Sequence, residues 1–222
     1  PQREIAAATT MSTITADMVS REVPSNAATL LWRSGQVHVQ QSQQGGGSPI
    51  LRGFEANRIL LVVDGVRMNN AIYRSGHLQN AMTIDPFTLA STEVLHGAGS
   101  VQYGSDALGG GIHYHSRSPR WETGSRARGL MQYSSAAQSP TIHADAEVTR
   151  GKWAFLTSVT HRRYGDLRMG SWRPHGSDDW GRIPWTVHSQ TQGNVVLDSA
   201  GINPDADIQP GTGFDQTDVL QK

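Results

Sequence analysis

Nine consecutive residues, Thr141-Ile-His-Ala-Asp-Ala-Glu-Val-Thr149, alternate without a break. Ile142, Ala144, Ala146 and Val148 fall on one parity, and Thr141, His143, Asp145, Glu147 and Thr149 on the other. A period of two is the period of a β-strand, so this segment has one apolar and one polar face. About 9 to 11 residues is the length of a tilted strand that crosses a bilayer. Lys152 to Tyr164 repeats the pattern, with Trp153, Phe155 and Val159 on one parity, and the single Gly151 between the two runs predicts a tight hairpin.

No helix of the chain is expected to cross a membrane. The longest apolar run, Ile59 to Val63, is strand length, far below the roughly 18 residues a spanning helix needs. The 24 glycines and a hydrophobic share of only 36% favour a turn-rich β protein over a helical bundle. The 19 basic and 19 acidic residues cancel, which leaves no electrostatic footprint for a nucleic acid. The absence of cysteine excludes a disulfide framework and a thiolate zinc site. Pro1 to Thr10 shows neither the basic nor the apolar region of a secretory signal, which is expected upstream if the protein is exported.

The texture changes near Ser118-Pro119. Before it, Thr15 and Asn26 each stand at the N-cap of a short helical pattern. Ile59 to Met68 reads as a buried strand, an Asp64-Gly65 turn and a second short strand. Asp85-Pro86 reads as an N-cap with proline at the first helical position, ahead of a strand from Thr92 to His96. A glycine-rich stretch, Gly97 to Gly111, leads to a last strand around Ile112 to His115. After it come the alternating strands, then a long polar stretch from Gly165 to Thr212, expected as a loop, and a candidate strand from Phe214 without an evident partner.

Two ordered signatures carry a family resemblance. Ser48-Pro-Ile-Leu-Arg52-Gly53 leads through Arg58 to Val-Val-Asp64-Gly65-Val-Arg67-Met, an arginine-glycine turn followed by a strand ending in Asp-Gly-Val. Glu93-Val-Leu-His-Gly97-Ala-Gly-Ser100-Val-Gln-Tyr103-Gly104-Ser-Asp-Ala-Leu-Gly109-Gly110 follows. Together they resemble the plug domain of TonB-dependent outer-membrane receptors, over about residues 1 to 118. Residues 119 to 222 look like the first barrel strands and a long extracellular loop, about 165 to 212, of receptors from a Bacteroidetes-like branch. The fold class implied is an α+β plug domain with a small mixed sheet, followed by antiparallel β-strands of an incomplete transmembrane β-barrel. With at most four strands the barrel cannot close, so a fragment is expected; no coupling box is recognisable near Pro1.

The resemblance implies a binding and gating role in uptake, with an iron-siderophore or haem favoured as the nutrient. It implies an external nutrient ligand, the inner-membrane energy-coupling protein TonB and outer-membrane lipid as partners, in a Gram-negative bacterium. No nucleic acid and no cofactor are expected. Tyr73, Arg74, His77, Gln79 and Asn80 lie where family members present a loop to the external cavity, and are candidate ligand contacts; an ordinary hydrogen-bonding role is the alternative for His77. Arg52, Arg58 and Glu93 are candidates for charge pairs that hold the plug to the barrel wall, against a reading as solvated charges. The glycine-rich stretch lacks the Lys-Ser/Thr pair of a phosphate loop and the context of a dinucleotide site. His113 and His115 share a strand face, but a metal site would need a further ligand, and Asp178-Asp179 lacks a calcium-loop pattern. His161, His175 and His188 take no role. No nucleophile elbow or His-Glu-x-x-His motif is present, so no enzymatic activity is expected. A soluble secreted or periplasmic binding module with a plug-like fold is the alternative to a transporter.

Overall fold

A computed structural model describes residues 10–41, 44, 46–55, 58–68, 81, 83–97, 107–170, 179, 181–193 and 195–222. The chain divides into two compact units, one of residues 1–130, 142–161 and 217–222, the other of residues 131–141 and 162–216.

The first unit opens with β1 (Thr10–Thr15), α1 (Ala16–Glu22) and α2 (Ala27–Arg33). Asn26 caps α2 as its sequence position predicts, its side chain accepting from the Thr29 amide at 2.8 Å. Thr15 stands at the N-cap of α1, but its side chain makes no capping bond. A small ribbon of β2 (His38–Gln40) and β3 (Ser48–Ile50) follows, then β4 (Ile59–Val63) and β5 (Val66–Arg67). Asp64 and Gly65 both have positive φ, 46° and 85°, the conformation of a two-residue hairpin turn whose second position suits glycine. Asp85 caps a single 3-10 turn, Pro86–Thr88, which feeds β6 (Leu89–His96) and then β7 (Gly110–Ser116). β6 thus begins three residues before the position read from the sequence, because Leu89 is already buried and paired with Ser116.

These strands form one mixed sheet in the order β1-β6-β7-β4-β5, with β4 parallel to β7 and the other pairs antiparallel. Ile59, Leu61, Val94, Ile112 and Tyr114 from one sheet face pack with Val19, Ala28, Leu30 and Leu31 of the helices in a single apolar core. Burying a leucine or isoleucine side chain in this way contributes about 1.5–3 kcal/mol. Tyr114 is fully enclosed, and burial pushes its phenol above the ordinary pKa; among the described residues its hydroxyl has no hydrogen-bond partner.

The chain continues into β8 (Gly124–Ser134), β9 (Ser139–Arg150) and β10 (Trp153–Tyr164), with the predicted turn at Gly151, φ 60°. The segment expected as a loop contains β11 (Leu167–Arg168), a hairpin of β12 (Trp185–Gln192) and β13 (Val195–Ile202), and β14 (Ile208–Gln209), which pairs with β11. Local alternation with β-branched and aromatic residues, closed by Gly193, explains the hairpin. The last strand, β15 (Phe214–Gln221), is not partnerless as its isolation in the sequence suggested. It flanks β10 in a four-stranded sheet of order β15-β10-β9-β8, and Leu156 and Lys222 exchange N–H···O bonds of 2.9 and 3.0 Å. In the second unit, the Tyr164 and Phe214 rings stack at 4.4 Å, and Asn203 ties the base of the hairpin by donating to Ile183 and Ile208 carbonyls.

The burial of this sheet is inverted relative to a water-soluble sandwich. On β9 the buried parity is Ser139, Thr141, His143, Asp145, Glu147 and Thr149, whereas Ile142 and Val148 are 49% and 48% exposed. On β10, Ser158, Thr160 and Arg162 are buried while Phe155 and Val159 are 50% and 41% exposed.

Gly110 combines φ 140° with a position where a Cβ would collide with the Leu95 carbonyl oxygen across the β6–β7 ladder. Gly110→Ala is expected to destabilise by about 1–3 kcal/mol, read as a lowered denaturant midpoint. Gly129→Ala, where a Cβ meets nothing closer than 3.8 Å, should leave the midpoint nearly unchanged.

Candidate functional site

The polar parity of β9 and β10 is buried because the small mixed-sheet domain is seated on it. The first contact is the Asp85 turn. Asp85 Oδ1 accepts from the Phe87 amide at 3.1 Å, while Oδ2 accepts from the Thr160 hydroxyl of β10. With its proton directed to Asp85, the Thr160 oxygen is free to accept from His143 Nδ1 at 2.7 Å. The His143 ring also lies against Phe87, centroids 5.0 Å apart, and its Nε2 is 3.2 Å from Asp145 Oδ2. One turn of the small domain is therefore fixed by a polar relay and by a ring contact.

Asp145 extends the relay to the connection between β7 and β8. Its buried carboxylate receives Arg117 Nη1 and Nη2 at 3.0 and 3.2 Å, and Arg128 Nε and Nη2 at 3.2 and 3.1 Å. Paired forks of this kind hold an acid in a fixed orientation as well as neutralising it. Further along the same face, Glu147 accepts from the Arg120 amide, and the Thr149 hydroxyl donates to the Arg120 carbonyl. Three successive inward residues of β9 thus stitch down residues 117–120. A cavity of about 400 Å3 lies between this connection, α1, the Phe87 turn and β9, and a second, of about 190 Å3, shares Arg120 and Glu147 with it.

Asp64 makes a separate attachment. Its Oδ1 accepts from the Ser116 amide at 2.8 Å, and its Oδ2 takes the Ser116 hydroxyl and Lys222 Nζ, the latter at 3.0 Å. Partial burial pushes the Asp64 carboxyl up, but the Ser116 side-chain and backbone bonds and the Lys222 ammonium outweigh it and hold the pKa below the usual value.

Arg52 and Gly53 form a turn with φ 51° and 79°, and the Arg52 guanidinium lies beside Gly97. Burial and the Arg52 charge both lower the neighbouring His96 pKa. Glu93 stands 3.3 Å from His115 within the mixed sheet. His113 shares that face; burial pushes its pKa down, Glu93 pulling against this and His115 adding to it. Gly109 packs against Phe54. Tyr73, Arg74, His77, Gln79 and Asn80, with Ser100, Tyr103 and Gly104, lie outside the described residues. Arg117, Arg128, Thr160 and Lys222 were not named from the sequence, Asp85 was read there only as a cap, and His143 and Asp145 only as members of the polar parity. The unbroken polar parity of β9 was the available signal for His143 and Asp145, but it names no partner.

A small α+β domain seated on the polar inner face of antiparallel strands, whose outer faces are apolar, is the architecture of a plugged membrane barrel. Residues 2–111 match the TonB-dependent Receptor Plug Domain. The chain is 36% identical over 91 residues to the vitamin B12 transporter BtuB of Vibrio vulnificus (strain CMCP6), covering 39% of this chain and 14% of that one. It is 31% identical over 105 residues to the hemin receptor of Yersinia enterocolitica, covering 47% and 15%. The solved FrpB iron transporter of Neisseria meningitidis shares the fold with a TM-score of 0.59 at 19% identity, over 72% of this chain and 24% of that one. The chain carries the plug domain of TonB-dependent receptors, followed by strands of their barrel, in a family of transport receptors rather than enzymes. It spans 14% and 15% of the two curated relatives.

Two substitutions test the seam. Asp145→Asn leaves two guanidiniums facing a neutral amide and is expected to destabilise by about 3 kcal/mol, the lower end for a broken buried pair because Arg128 is half exposed. Hydrogen exchange at the Arg120 amide should rise with it. For Asp64 the folded pKa lies below the unfolded one, so its contribution is complete above the unfolded value of about 3.9 and is lost as pH falls through the folded value. The Tm gap between wild type and Asp64→Asn should therefore be widest at neutral pH and close in acid.

Proposed function

We propose that this chain is part of an outer-membrane active transporter of a Gram-negative bacterium that binds a scarce nutrient and gates its energy-coupled uptake. In this reading residues 1–118 form the plug, residues 119–222 begin the barrel, and residues 165–212 form a loop on the outer surface. The observation that carries it is the inverted burial of β9 and β10: apolar side chains turned outward, polar ones turned onto the plug. A barrel wall needs this arrangement, because lipid lies on one side and a polar lumen on the other. A soluble binding module would leave Ile142, Val148, Trp153, Phe155 and Val159 in water on one continuous surface.

The short Gly151 turn precedes β10 and the long 165–212 segment follows it, which supports an orientation with the short turn toward the periplasm and the long segment toward the exterior, as short turns and long loops are placed in outer-membrane barrels. The Trp153 and Phe155 rings, stacked 6.2 Å apart next to the short turn, suit the inner interfacial belt. The candidate contact loop Tyr73, Arg74, His77, Gln79 and Asn80 would meet the nutrient from outside. Binding there favours uptake only by the difference in its affinity for two plug states, which TonB would read on the periplasmic side. An iron-siderophore or haem is favoured as cargo, since a hemin receptor stands among the sequence relatives and an iron transporter among the structural ones.

Deleting the gene in its host should abolish growth on one ferric siderophore or on haem as the iron source, with cobalamin uptake measured in parallel. The wild-type gene should restore growth, and removal of TonB should cancel that rescue. Unchanged uptake of all three nutrients, with the product in the soluble fraction, would overturn the transporter reading.

A further inference from the structure

Between Arg117 and Arg128 the chain carries four arginines, Arg117, Arg120, Arg126 and Arg128, and all of them line the two cavities of the seam. Their surroundings do not use them up. The carboxylates in the same walls are Glu122, Asp145 and Glu147. Asp145 serves Arg117, Arg128 and His143 at once, and Glu147 is engaged by the Arg120 backbone amide. Among the described residues, the Arg120 and Arg126 guanidiniums have no side-chain partner. Arg128 keeps Nη1 unspent, and its side chain is 56% exposed.

The direction of these groups decides what they meet. On β8, Met131 and Tyr133 are outward and strongly exposed, whereas Leu130, on the opposite parity, packs against the plug core. Arg126 and Arg128 share the parity of Leu130, so they project into the lumen and away from lipid. The smaller cavity adjoins the start of β8 and the end of β9, the end that carries the Gly151 turn, and the larger one continues from Arg120 and Glu147 toward the middle of both strands at Arg128 and His143. Open guanidinium forks on an inner wall are suited to a planar, multiply charged oxyanion, which they hold bidentately.

We infer that the Arg120, Arg126 and Arg128 cluster is a binding site for a soluble carboxylate-bearing anion, at the short-turn mouth of the plug–barrel seam. Its role as the last protein contact of an anionic cargo rests on the transporter reading; the site itself does not. Lipid headgroups are excluded as occupant by the inward parity, and the cavity volumes admit a carboxylate cluster of a larger cargo, not the whole of it.

The test uses the full-length receptor in detergent, titrated with citrate by calorimetry. Saturable binding that weakens with added salt is expected, with at least a fivefold loss in Arg120→Gln/Arg126→Gln and an intermediate loss in Arg126→Lys, which keeps charge without the fork. Absence of saturable binding, or equal affinity in the double variant, would overturn the site. Should the double variant fail to assemble, Arg126→Gln alone replaces it, since that side chain has no partner to lose among the described residues. In cells, the variant should slow uptake of a carboxylate siderophore at least fivefold while leaving its binding at the cell surface unchanged; equal uptake would overturn the role in cargo exit. A wild-type receptor that binds citrate but transports nothing would refute the transporter reading and leave the anion site standing.

Discussion

The structure depends on a constraint that β9 imposes: a strand with a wholly polar face must give that face partners when it is taken out of water. Leaving a buried polar group unpaired costs about 1–3 kcal/mol, and more for a charge. His143, Asp145, Glu147 and Thr149 all lie on that face and all are bonded. Their partners come from the Phe87 turn, β10 and the connection at 117–120. The plug's attachment is thus the solution to the strand's solvation problem. The apolar parity has the opposite requirement, which on the transporter reading hydrocarbon meets, so that one alternation in the sequence would specify both the lumen and the lipid side of the wall.

Asp64 shows how one residue serves two levels of this construction. Its backbone takes φ 46° in the β4–β5 turn, a conformation that Asp tolerates better than most side chains. The same turn points its carboxylate at the start of the connection, Ser116, and at Lys222 beside β15. Asp85 repeats the device, capping the 3-10 turn through one oxygen and reaching the wall through the other. Local chain-turning chemistry and long-range anchoring therefore reside in the same side chains.

What could be read in the sequence was what short-range physics determines. The Asp64-Gly65 hairpin, the Asn26 cap, the Gly151 turn and the alternation of β9 each follow from residues within a few positions of one another. The pairing of β15 with β10 does not, because the intervening segment separates the partners and strand periodicity carries no address. The hairpin of β12 and β13 was obscured by a polar composition, although Trp185, Val187 and Val195 to Leu197 mark its strands. The Asp145 clamp was half legible: parity placed the acid on the polar face, while Arg117 and Arg128, on either side of a proline-containing connection, gave no periodic signal.

The same accounting separates architecture from recognition. A group whose hydrogen-bonding capacity is spent inside the protein can bind a ligand only by giving up a bond, so it discriminates poorly between cargoes. His143, Thr160, Asp85 and the Asp145 carboxylate are spent in this sense. That is why the seam identifies a plugged barrel and is compatible with relatives named for cobalamin, hemin and iron transport alike. Selectivity has to come from donors and acceptors left open in the closed structure. Among the described residues, the guanidiniums of Arg120 and Arg126 meet that condition, beside the start of β8 and the end of β9. A chain built in this way separates the residues that hold the plug from those left open to a ligand.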